Sequence, residues 1–166
     1  NVVGRDISRL KGLKKDLRAL NIGATAVGTA INVNPVYLFQ IIKNINLICG
    51  TDCYQADDLF DATQNLDCFV HVSGALKTCA SSLSKICNDL RLLSSGPHAG
   101  LGEINLPPKQ NGSSIMPGKI NPVIPEVVSQ VAFNVIGNDV TVTMAAEAGQ
   151  LELNAFEPVI FYKIFE

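Results

Sequence analysis

The sequence contains no tryptophan, and charged residues fill only 17% of its 166 positions, well below the roughly 25% of an average soluble domain. So few charges cannot cover a monomer of this size, and a chain that buries much of its surface against partners, or belongs to something larger, is implied. Basic blocks are missing. Thirteen Lys and Arg against fifteen Asp and Glu leave a net charge of −2 and no stripe to meet phosphates, which excludes a nucleic-acid partner. No stretch approaches the ~18 uninterrupted apolar residues of a membrane span. The opening Asn-Val-Val-Gly-Arg-Asp has neither the basic region nor the apolar run of a signal peptide. There is no initiator Met, and Phe165-Glu166 stops inside an apolar pattern, so both ends read as cut. No CxxC pair occurs among Cys49, Cys53, Cys68, Cys79 and Cys87. No His/Cys cluster completes Cys49-x3-Cys53 into a metal site, so no metal is expected. The five read as buried or half-buried free thiols of a reducing cytoplasm.

Helical periodicity is what the sequence does have. Val3, Ile7, Leu10, Leu13, Leu17 and Leu20 recur at steps of three and four with Lys and Arg between them, predicting an amphipathic helix. Asn21 to Thr29 is small and glycine-punctuated, a turn or close-packed connection. Asn34-Pro35 supplies an N-cap and an N1 proline for the apolar run Val36–Ile48, and Gly50 a stop. From Asp57 to Leu93 there is no proline and one glycine. Phe60, Leu66, Val70, Leu76, Cys79, Leu83, Ile86, Leu90 and Leu93 keep to one face, predicting a single helix of roughly 50 Å. Asp57, Asp58 and Asp61 stand at its start, where the dipole favours anions. A second Asn-Pro pair, Asn121-Pro122, predicts a cap and first turn for a helix carrying Val127, Val128, Val131, Val135, Ile136 and Val140. A break follows at about Gly149–Asn154, and Pro158 restarts a helix. No strand-like alternation of useful length is present, and no repeat. The fold class expected is all-α, an elongated bundle of long helices truncated at both ends, with residues 1–166 as one central helical-bundle domain fragment.

Between the long helices lies an irregular segment, Ser94–Ile120, crowded with Gly and Pro. Loops of that length are usually functional lids, binding loops or disordered. Within it, Gly112-Ser113-Ser114-Ile115-Met116-Pro117-Gly118-Lys119-Ile120-Asn121-Pro122 sets a glycine-flanked serine pair just ahead of a helix N-terminus. Backbone amides there bind anions, Lys119 adds a positive charge and Asn121 two amide donors. The chemistry fits a carboxylate or phosphate pocket with a hydroxyl in reach. A mobile polar linker accounts for the same composition.

GSSIMPGKINP resembles the signature loop of the aspartase/fumarase superfamily, GSSxMPxKxNP. The flanking KICNDLRLLSSGPHAGLGEINLP, PEVVSQVAFNVIGND and AAEAGQLELNAFEPVI resemble its ammonia-lyase branch. The hydratase branch more often carries Gly-Asn-Phe-Glu-Leu-Asn where this chain has Gly149-Gln150-Leu151-Glu152-Leu153-Asn154. The resemblance runs from about Asp6 to the C-terminus. It implies a cytoplasmic, cofactor-free homotetramer that removes ammonia from L-aspartate to give fumarate, with active sites shared between subunits. It implies that the loop at about 94–121 is a lid and Ser113 the catalytic base on the Cβ proton. Lys119 and Asn121 hold a substrate carboxylate, Ser114, Ile115 and Met116 approach the substrate, and Glu126 supports an active-site histidine of another subunit. Such chemistry gives the residue types a reason: a proton leaving beside a carboxylate builds a dianionic intermediate, which needs a cation and preorganised donors. A serine base needs its alkoxide stabilised, which loop amides can do.

The family assembles its site from three separated segments on three subunits, and the other two, with their Thr/Ser/Asn and Thr-His groups, have no counterpart here. His71 is expected to be an exposed or satisfied bundle residue, and His98 a loop residue away from the chemistry. The chain alone is therefore expected to be inactive, helical and self-associating. Two other readings stand beside this one: a fumarase-type hydratase, and a non-catalytic helical scaffold that keeps the loop.

Overall fold

The computed structural model describes every residue from Asn1 to Glu166. In chain order the elements are α1 (Val2–Gly12) running into a 3-10 turn (Leu13–Lys15), β1 (Ala19–Leu20), α2 (Pro35–Cys49), β2 (Tyr54–Gln55), α3 (Asp61–Gln64), α4 (Asp67–Leu93), α5 (Val123–Glu147) and α6 (Glu157–Phe165). Ser73 meets Asp139 near one end of the α4/α5 pair and Arg91 faces Glu126 near the other. The two long helices are therefore antiparallel. α1 packs on α4, and α6 on α5. The fold is an all-α bundle, as the periodicity predicts.

The stripe that α4 buries is made of small residues, Ser73, Ala80, Ser84 and Cys87, and α5 answers with Ser129, Ala132, Asn138, Asp139, Val142 and Ala145. Side chains this short let two helix backbones approach closely. The expected apolar face is thus only partly interior: Phe60 and Leu83 are exposed. A compact apolar cluster closes one end, where Leu66, Val142, Ala145 and Ile160 interlock, with Phe69, Val70 and Val159 around them.

Four expectations need correction. First, the helix predicted through Leu20 ends at Gly12 and its 3-10 turn. Tyr54 N donates to Arg18 O (2.8 Å), Ala56 N donates to Leu20 O (3.0 Å), and the Arg18 guanidinium pairs with Asp52 (2.9 Å). These long-range bonds hold Ala19–Leu20 extended, in a two-residue parallel pairing with Tyr54–Gln55.

Second, the helix predicted over Asp57–Leu93 is broken at Asn65–Leu66. Asp58 caps the single turn of α3, its Oδ1 accepting from Phe60 N (2.9 Å) and Asp61 N (3.1 Å). Asn65 then turns extended, and Leu66 swings into the apolar cluster. Burying that leucine contributes about 2 kcal/mol, which offsets part of the helical hydrogen bonding given up at the break, at about 1 kcal/mol per bond. Twenty-seven residues remain in α4, about 40 Å.

Third, the two Asn-Pro pairs differ. Asn34 Oδ1 caps α2 by accepting from Val36 N (2.8 Å), and Gly50 ends it at φ +65°. At α5, however, Pro122 is itself the cap residue and no side chain caps the helix. Fourth, Cys49 is exposed rather than buried or half-buried; Cys53, Cys68 and Cys79 are half-buried, Cys87 is buried, and all five are free.

The break at Gly149–Asn154 is present as a tight turn with Leu151 at φ +53°. Buried Asn154 pins it, donating to Ala145 O (2.9 Å) and Ala146 O (3.1 Å) and accepting from Phe156 N (2.8 Å). Pro158 then lies in the first turn of α6.

Candidate functional site

Because α4 and α5 run antiparallel, the end of α4 and the start of α5 lie together, and the 94–122 segment crosses between them. Its first half folds back onto α4. Gly102 N donates to Ser95 O (2.8 Å), Glu103 N to Leu93 O (2.9 Å) and Leu101 N to Ser95 Oγ (3.1 Å). The orphan carbonyls at the helix end are satisfied in this way. Gly100 crosses so close to Ser95 that a Cβ there would stand 2.3 Å from its carbonyl carbon.

The second half is a narrow-necked loop. Gly112 N donates to Lys119 O (2.8 Å), and Asn111 and Ile120 form an antiparallel bridge below it. A Cβ on Gly112 would meet Lys119 O and Asn121 Oδ1 at 2.9 Å each. Only glycine fits there. At the tip, Gly118 takes φ +76° and Lys119 N donates to Met116 O (3.3 Å).

Ser113 opens that tip, and its Oγ accepts from both Ile115 N and Met116 N, each at 3.2 Å. Two amide donors on one hydroxyl oxygen favour negative charge on it. Ser113 is half-buried, while Ser114, Ile115 and Met116 are exposed. Lys119 and Asn121 stand across the neck on the wall of a cleft of about 670 Å³, whose other wall is the folded-back stretch around Ser95, Gly96, Leu101 and Asn105. The structure thus brings Lys119 and Asn121 to one polar cleft and carries Ser113 to Met116 on the adjoining tip, outside that wall. Half-buried Glu126, one turn into α5, lies 3.8 Å from Arg91.

A family model described as lyase matches residues 1–137. The chain belongs to the aspartase/fumarase lyase family. It is 58% identical over 164 residues to the aspartate ammonia-lyase of Helicobacter pylori and 53% identical over 165 residues to that of Bacillus subtilis, covering 99% of this chain and 35% of each relative. The chain therefore spans about a third of the length of the curated relatives it matches. Among solved structures, a class II fumarase from Schistosoma mansoni superposes with a TM-score of 0.93 at 32% identity, over 98% of this chain and 37% of that one. A cobalt-bound fumarate lyase:delta crystallin from Brucella melitensis does so at 0.92 and 55%, over 97% and 35%.

The remaining titratable groups of this lyase-family chain stand apart from the cleft. His71 is largely exposed, and its Nδ1 lies 2.8 Å from Asp16 Oδ2, a satisfied bundle residue as expected. His98, in the loop, does not line the cleft. Burial pushes the Cys68 thiol up, with Asp67 adding to it, and burial with Asp6 does the same to Cys79. Both are poor nucleophiles for that reason. No group of three or more His, Cys, Asp or Glu is placed to hold a metal ion, and no helix is long and apolar enough to cross a membrane.

Sequence reasoning missed two polar devices. Buried Asp139 accepts from Ser73 Oγ (2.8 Å) and Lys77 Nζ (2.5 Å), and Asn154 pins the α5–α6 corner. The signal for the first was Asn138-Asp139 interrupting an apolar stripe, which marks a buried polar pair but not its partner on another helix.

Proposed function

We propose that the protein carrying this chain is an ammonia-lyase that converts L-aspartate to fumarate and ammonia. The observation that carries the reading is the pair of amides on Ser113 Oγ, in a loop held to its neck by Gly112. The similarity to aspartate ammonia-lyases along nearly the whole chain supports it. Ser113, as alkoxide, takes the proton from Cβ. The electron pair moves onto the adjoining carboxylate as an aci-carboxylate, then returns to form the double bond as the C–N bond breaks and ammonia leaves. Lys119 and Asn121 meet the developing charge in a cleft that excludes water once the loop closes. Ser114, Ile115 and Met116 close over the substrate, and Glu126 supports a histidine of a neighbouring subunit. The assembly is a cytoplasmic homotetramer without a cofactor, in which this chain is the central helical-bundle domain, with the 94–121 loop as lid, and supplies one of three site segments.

The experiment is an absorbance assay for fumarate with the full-length protein, offered L-aspartate and, separately, L-malate. Fumarate from aspartate alone is expected. The superposition on a class II fumarase favours a second reading, a malate/fumarate hydratase, and fumarate from malate alone would establish it. No product from either would leave a helical scaffold.

A further inference from the structure

Two ion pairs join α4 to α5. Lys77 and Asp139 form a closed one, with Nζ 2.5 Å from Oδ2 and Ser73 Oγ donating to the same carboxylate at 2.8 Å. Arg91 and Glu126 form an open one. Arg91 Nη2 stands 3.8 Å from Glu126 Oε1, and neither side chain makes a hydrogen bond, although both are more than half buried. A pair that served only to tie the helices would close, because a charge-assisted N–H···O bond runs at about 2.7–2.9 Å. The gap leaves both carboxylate oxygens of Glu126 with lone pairs free for other donors, while the positive charge beside them still fixes where the carboxylate lies.

The place of the pair gives it a use. Arg91 is in the last turn of α4 and Glu126 in the first turn of α5, a cation and an anion at the helix ends whose dipoles suit them. Ser94, three residues beyond Arg91, and Pro122, four before Glu126, both line the polar cleft. The pair therefore lies about one helical turn behind the cleft, under both of its walls. Lys119 and Asn121 reach that cleft from the loop. Arg91 belongs instead to the 27-residue helix, and a group held by a helix is placed more precisely than one held by a loop. No other basic side chain pairs with Glu126, and Arg91 pairs with no other anion.

We propose, on the ammonia-lyase reading of the site, that Arg91 is a positioning residue for the reaction. Its charge holds the Glu126 carboxylate between the two helix ends, behind the cleft, and leaves the oxygens open to the histidine of the neighbouring subunit. Arg91 touches no reacting atom and acts only through Glu126. Because the contact is an attraction of charges at 3.8 Å rather than a fork of two hydrogen bonds, a lysine can take its place, which a bidentate site would not allow.

The test is a mutant cycle in the full-length protein, read as kcat and KM for aspartate. Arg91→Met is expected to lower kcat by about 10-fold to 100-fold, the scale of a misplaced catalytic group, with KM changed by less than about 3-fold. Arg91→Lys is expected to keep kcat within about 5-fold of the unmodified protein. In a Glu126→Gln background, which lacks the carboxylate charge, Arg91→Met is expected to change kcat by less than about 2-fold, since coupled residues are not additive. Losses that multiply in the double variant overturn the proposal, as does an unchanged kcat in Arg91→Met. So does a rise in KM that accounts for the loss, which would put Arg91 on the substrate. An Arg91→Lys protein as impaired as Arg91→Met also overturns it, since the guanidinium would then be structural. If Arg91→Met lowers the unfolding midpoint, Arg91→Gln replaces it in the cycle. Fumarate from malate and not from aspartate would defeat the ammonia-lyase reading, and the same cycle run with malate then decides the role of Arg91. Without turnover of either substrate by the unmodified protein, Arg91 has no reaction to serve and the proposal falls.

Discussion

Gly112 and Asn121 stand so close that any side chain on the first would begin 2.9 Å from the amide oxygen of the second. The same Cβ would meet the backbone carbonyl of Lys119, which cannot rotate away. In the Gly112→Ala protein the neck must open, and the Gly112–Lys119 hydrogen bond that closes it is lost. Ser113, Lys119 and Asn121 are then displaced relative to one another. A shift of about 1 Å costs on the order of 100-fold in rate, so kcat/KM for aspartate in the full-length protein is expected to fall by about that much. The neck lies outside the helices, and unfolding free energy is expected to change by less than about 1 kcal/mol. Near-normal activity would show that the neck does not set the site.

That neck was not legible in the sequence, although the motif was. Glycine at position 112 reads as flexibility until the chain returning through Lys119 to Asn121 is seen to pass against it. The two Asn-Pro pairs make the same point within the fold. Asn34 caps α2 as its type predicts, whereas Asn121 is drawn to the loop neck and leaves the capping position to Pro122. Local propensity locates both helix starts within a residue or two; tertiary contact decides which side chain does what. Likewise Leu66 has no local reason to break a helix, and does so because its pocket lies among Val142, Ala145 and Ile160.

Ser113→Ala removes the oxygen that the Ile115 and Met116 amides address. A lost general base costs about 100-fold to 10,000-fold, so kcat of the full-length protein is expected to drop at least that far, with helical circular dichroism unchanged. If more than about a tenth of kcat survived, Ser113 would not be the base, since an effect that small lies below the general-base range.

Lys119→Met tests the cation on the cleft wall. The methionine keeps most of the stem and deletes the charge, and a charge-assisted hydrogen bond contributes about 1.5–3 kcal/mol. KM for aspartate is expected to rise by about 10-fold to 100-fold. A fall in kcat at unaltered KM would place the lysine on the transition state alone.

The chain of 166 residues by itself is expected to be helical, inactive and self-associating. Val127, Val131, Val140 and Met144 leave α5 with apolar surface open along its length, and Phe39, Leu47 and Ile48 do the same for α2. Contiguous exposed patches beyond several hundred Å² seek partners. Sedimentation as a clean monomer would contradict this, and measurable deamination would show that Ser113, Lys119 and Asn121 need no help from other segments.

Asp139 ties α5 to α4 through Ser73 and Lys77, and the three side chains differ in how much they can recover from loss of a partner. Asp139 and Ser73 are buried, whereas the Lys77 side chain is 46% exposed and returns to water when its carboxylate is gone. Asp139→Ala strands the Ser73 hydroxyl without an acceptor and leaves a hole between closely packed helices, and is expected to cost about 2–4 kcal/mol. Ser73→Ala leaves the buried carboxylate short of one donor, at about 1–3 kcal/mol. Lys77→Met removes a half-solvated ion pair and is expected to cost no more than about 1 kcal/mol. Urea unfolding of the full-length variants checks the order, Asp139 first and Lys77 last. A Lys77→Met protein as damaged as Asp139→Ala would mean that the ion pair, rather than the buried hydroxyl–carboxylate bond, holds the two helices in register.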